Sequence, residues 1–131
     1  MRTPSRGSTS GDRGALTLSL VIIFPLFLLT LMVITQAAIW YLAGQAAQAA
    51  ARQGADIGRF EHAPPGAGAA AALHFATTVA GSYLHDPAAS ETVSNQTVQI
   101  TVTGAIPSLV PGMVIRVSKT AQGPIERFTR P

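Results

Sequence analysis

The chain contains no cysteine, which excludes a disulfide framework and any thiolate metal site. Charge is also scarce: Asp, Glu, Lys and Arg together make up 11% of the residues, against roughly 25% in ordinary soluble domains. Aromatic residues amount to 6%, and no aromatic platform stands beside a basic cluster. The formal net charge of +3 therefore does not indicate nucleic acid. Arg2, Arg6 and Arg13 sit in a polar head, and Arg52, Arg59, Arg116, Lys119, Arg127 and Arg130 are spread among acids. With 131 residues there is room for one small domain besides any anchor. Without disulfides, such a domain must be held by its own core, its anchor or a partner.

What the sequence does have is one concentrated apolar block. No charged side chain occurs between residues 15 and 51, and residues 16–34 include fourteen Leu, Ile, Val or Phe. At about −0.3 to −0.6 kcal/mol each, these favour a bilayer by about 4–8 kcal/mol. Thr17, Ser19 and Thr30 oppose this weakly, because a hydroxyl can donate to a carbonyl of the preceding turn. As a helix the block spans about 28 Å, close to the thickness of a hydrocarbon core. It reads as a transmembrane helix with Pro25 inside it. Trp40 and Tyr41 follow at the far end, where amphipathic rings favour the headgroup region, and Arg13 marks the near end. The near side carries the excess of Arg, which places the N-terminus in the cytoplasm and the rest outside.

The organisation expected is α+β and membrane-anchored. Residues 1–14 form a disordered cytoplasmic leader, and 15–57 form the transmembrane helix with its extension beyond the bilayer. Residues 58–66, with Pro64-Pro65, make a linker, and 67–131 make a small extracytoplasmic domain. The extension is rich in Ala and Gln, good helix formers. Its small residues Ala43, Ala47, Ala50 and Gly54 give a face that another helix can approach closely. Residues 67–84 read as a second helix whose face is Leu73, Ala76, Val79, Ala80 and Tyr83. Residues 85–94 read as a loop. Residues 97–103 alternate strictly, with Val98, Ile100 and Val102 on the apolar side, and residues 113–118 alternate again. This predicts a small antiparallel strand pair, with a third short strand near 125–128, lying against a helix or a partner.

No arrangement of residues points to catalysis. His62, His74 and His85 are spaced unlike any compact metal-ligand motif and lack carboxylate or thiolate company. His85-Asp86 has no nucleophile in a recognisable context nearby. Gly66-Ala67-Gly68 lacks the strand and continuation of a phosphate loop, and Asn95-Gln96-Thr97 reads as a strand edge. No cofactor, metal or small-molecule substrate is expected. A cleaved secretory signal would need a small-residue site after the apolar block, where Ala43-Gly44-Gln45-Ala46 is a weak match. The block is long for such a signal, and the helical pattern continues through that site.

Several segments taken in order resemble the TadE-like family, pseudopilin-type proteins of the tight-adherence pilus systems of bacteria. These are Arg13-Gly14-Ala15 before the apolar helix, Pro25 within it, Gln36-Ala37-Ala38-Ile39-Trp40-Tyr41, the stretch 45–55, and the tail from Val117-Ser118 through Gly123-Pro124-Ile125-Glu126-Arg127-Phe128. The likeness is greatest to high-GC Gram-positive members and covers most of the chain from Arg13 onward. It implies a membrane component of pilus assembly, processed by a prepilin-type peptidase between Gly14 and Ala15. Its implied partners are other pseudopilin-like subunits and platform proteins, besides membrane lipid. The chain departs from the family at Ser19, where a Glu is usual. A carboxylate there can pair with the exposed amine of a neighbouring subunit, and a serine cannot. The expectation is thus a minor or accessory subunit that works by helix packing and docking. The alternatives are a membrane-tethered binding module, which would show a clustered aromatic patch, and a tethered enzyme, which would bring the histidines together.

Overall fold

A long helix, a short helix and a three-stranded antiparallel sheet make up the computed structural model, which describes residues 10–127. Residues 1–9 of the expected leader and 128–131 of the tail lie outside the described residues, as do the side chains of Arg13 and Ala15. Helix α1 (Ser10–Gly58) begins inside the stretch read as leader and continues through Pro25. The chain divides into two compact units, one ending at Thr35 and one running Gln36–Pro131.

In the first unit the side chains from Leu18 to Leu31 are exposed, large aliphatic and aromatic groups included. The segment starting at Thr17 is apolar and long enough to cross a membrane. The hydroxyl of Thr30 donates to the Leu26 carbonyl at 2.9 Å, so this polar group is satisfied within the helix.

The second unit has its own core, built from small helical residues against β-branched strand residues. From α1 it takes Ala43, Ala47, Ala50, Ala51 and Ala55, all buried. Their spacing of three and four keeps them on one helical face. Helix α2 (Ala67–Phe75) contributes Gly68 and Ala72, and the turns after it add Ala76 and Ala80, a row repeating every fourth residue. The sheet closes the core. Strand β2 (Thr97–Ile106) lies between β1 (His85–Val93) and β3 (Ile115–Pro124). Every second residue of β2 is buried: Val98, Ile100, Val102, Gly104 and Ile106, as a one-sided strand requires. Val117 joins them from β3.

Five sequence expectations change. The second helix is not continuous to residue 84: α2 ends at Phe75, followed by a π-helical turn (Ala76–Ala80) and a 3-10 turn (Gly81–Tyr83). The hydroxyls of Thr77 and Thr78 both donate to the His74 carbonyl, at 2.9 and 2.8 Å, which competes with the regular ladder. Of the face read from sequence, Ala76 and Ala80 are buried as expected, but its large members are not. Leu73, Val79 and Tyr83 are exposed, because Gly68, Ala72, Ala76 and Ala80 let the backbone come close where larger groups would hold it off. Residues 85–93 are a strand, not a loop. Pro87 is tolerated there because β1 is an edge strand, and the pairing slips between His85 and Ala88, where Asp86 has φ 46°. The third strand is therefore β1, and residues 125–127 form none. They bond instead to Gln96 and Arg59 through the amides of Ile125 and Glu126. Finally, β3 runs on to Pro124, pairing with β2 back to Thr97.

Candidate membrane anchor and assembly surface

The face Ala43, Ala47, Ala50 and Gly54, read from sequence as a docking stripe for another helix, lies inside the second unit. The three alanines have no exposed surface. Gly54 faces α2 so closely that an added Cβ would stand 2.5 Å from the Gly68 carbonyl oxygen and 2.7 Å from the Ala72 methyl. The small residues thus serve close packing within the chain, and they are not open to a second copy.

Gly14, on the near side of the span, is exposed on the helix, with nothing within 4 Å of where its Cβ would be. Ser19 is exposed on the same helix. Beyond the span, Trp40 and Tyr41 are 51% and 60% exposed. With Gly44, Gln45 and Lys119 they line a shallow open cleft, an apolar rim with a cation beside it, suited to a water–lipid boundary.

The histidines stand on separate elements: His62 in the linker, His74 near the end of α2 and His85 at the start of β1. All three are exposed, and among the described residues no group of His, Asp and Glu is placed to hold a metal ion. His62 lines an open cleft with Ile57, Phe60, Glu61, Ala63, Pro64 and Ala67.

Residues 14–56 match the model of the family described as TadE-like protein. This segment is TadE-like. The match opens at Gly14, the residue before the expected cleavage point, and covers the apolar run, Trp40, Tyr41 and most of the buried alanine row. The matched segment therefore supplies both the candidate anchor and the helical wall of the second unit's core. An apolar helix of this kind suggests membrane anchoring. No curated protein and no solved structure matches the chain.

A connection over residues 104–112, bracketed by Pro107 and Pro111, is legible in the sequence, but the structure sets it at 107–114, takes Met113 and Val114 from the expected strand, and gathers exposed apolar side chains there beside Gln36. A signal was there: the chain carries no charge from Thr92 to Ile115.

Proposed function

We propose that this protein is a single-pass membrane subunit of tight-adherence pilus assembly, minor or accessory in role, and that it acts by packing and docking without catalysis. The N-terminus lies in the cytoplasm and Gln36–Pro131 lies outside, following the bias of Arg2, Arg6 and Arg13 to the near side. The observation that carries the reading is the coincidence of the TadE-like match, residues 14–56, with an exposed apolar helix. Since the small-residue row is covered by the chain's own strands and α2, contacts with other subunits in the membrane fall to the exposed Leu, Ile, Val and Phe of residues 18–34. Ser19 leaves the span without a carboxylate at the position where pilin-type subunits pair with a neighbour's amine, which favours an accessory place over a repeating shaft.

The test is deletion of the gene in its host, with intact mass measured on the protein recovered from wild-type membranes. The expected outcome is altered piliation and a mass lacking residues 1–14. Unchanged pili in the deletion strain would overturn the assembly role. A protein that always retains those residues would remove the processing step alone.

A further inference from the structure

The connection between β2 and β3 is a built turn with an apolar surface. Val110, Pro111, Gly112 and Met113 form a type II turn: the Met113 amide donates to the Val110 carbonyl at 3.3 Å, and Gly112 has φ 80°. The Val110 amide donates to the Ser108 hydroxyl oxygen at 3.1 Å. The Gln36 side chain fastens the start of the loop, donating to the Pro107 carbonyl at 3.1 Å and accepting from the Leu109 amide at 2.9 Å. With its backbone occupied in this way, the loop leaves Leu109, Val110, Met113 and Val114 exposed at 43%, 40%, 53% and 68%. A soluble surface rarely collects apolar groups of this size in one place.

Gln36 identifies the occupant. It lies in α1 directly after the apolar run that ends at Ile34, and Trp40 and Tyr41 follow within the next turns, exposed. Residues held against Gln36 therefore sit at the depth where the helix leaves the hydrocarbon. Arg116, exposed at the start of β3, offers a cation to lipid phosphates. We propose that residues 107–114 are a second membrane contact, with Leu109, Val110, Met113 and Val114 entering the lipid at the headgroup–acyl boundary. The contact rests on the reading of α1 as a membrane anchor. The Leu109, Val110 and Met113 amides are already bonded within the protein, which lowers the cost of placing the turn at the headgroup–acyl boundary.

Because the chain has no cysteine, any introduced thiol is unique. Full-length protein carrying Val114→Cys, Asn95→Cys or Leu29→Cys, each labelled with an NBD fluorophore, is reconstituted in phosphatidylcholine–phosphatidylglycerol vesicles with or without acyl-chain nitroxide lipid. Positions 95 and 114 adjoin opposite ends of β2. The expected result is strong nitroxide quenching at positions 29 and 114 and none at 95. Quenching at 29 but not at 114 would overturn the loop contact and leave the anchor standing. No quenching at 29 would overturn the anchor and the proposal with it. Emission at 114 that follows the protein-to-lipid ratio and ignores the nitroxide would overturn the proposal in favour of contact with a second copy.

Discussion

A methyl group at position 54 would collide with the backbone of α2 at Gly68, which cannot swing aside as a long side chain can. At position 44 an added Cβ would meet only the Lys119 side chain at 3.5 Å and Val117 at 3.9 Å, ordinary contact distances. Gly54→Ala should therefore destabilise the second unit by about 1–3 kcal/mol. Gly44→Ala should be neutral or slightly stabilising, by up to about 1 kcal/mol, since alanine is the better helix former. Denaturant unfolding of the two full-length variants in detergent checks this, and equal losses would refute it. Gly104 in β2 is a similar case, for Leu84 fills the space where its side chain would be. Through that contact the residue just before β1 is fitted against the central strand.

At the scale of elements, α2 is held at its N-terminal end by a carboxylate from another part of the chain. Gly66 stands at the cap position and provides no side-chain bond. The Glu91 carboxylate, on β1, accepts from the Ala69 amide at 3.1 Å. A negative charge there also opposes the positive end of the helix dipole. Glu91→Ala should cost about 1 kcal/mol and speed amide exchange first in the opening turn of α2. Uniform acceleration over the whole unit would count against this local role. The same residue explains why β1 was illegible in the sequence. Its more sheltered positions are Pro87, Ala89 and Glu91, which show no apolar alternation, so the stretch reads as a loop. Strand β2 was legible because Val98, Ile100 and Val102 carry the alternation outright. The face of α2 was misread because the eye follows Leu73, Val79 and Tyr83, whereas packing follows the residues with the least bulk. The apolar span could be read from composition alone, as an uncharged run of large aliphatic and aromatic residues. The nearness of residues 107–114 to Gln36 could not, since only the fold brings them together.

On the scale of the whole molecule, the second unit starts at Gln36, well before the linker expected at 58–66. Residues 36–58 of α1 are one wall of its core, through Ala43, Ala47, Ala50, Ala51 and Ala55. A fragment of residues 36–131 should therefore unfold cooperatively in a denaturant titration. A fragment of residues 59–131, which lacks that wall, should show no cooperative transition. Folding of the shorter piece would show that the sheet and α2 suffice alone. Ala43-Gly44-Gln45-Ala46, the small-residue run weighed as a secretory signal peptidase site, contributes Ala43 to that wall and the buried Gly44 beside it. A cut there would excise part of the domain it was meant to liberate. Removal of that stretch of α1 would thus leave the core of the second unit open on its helical side.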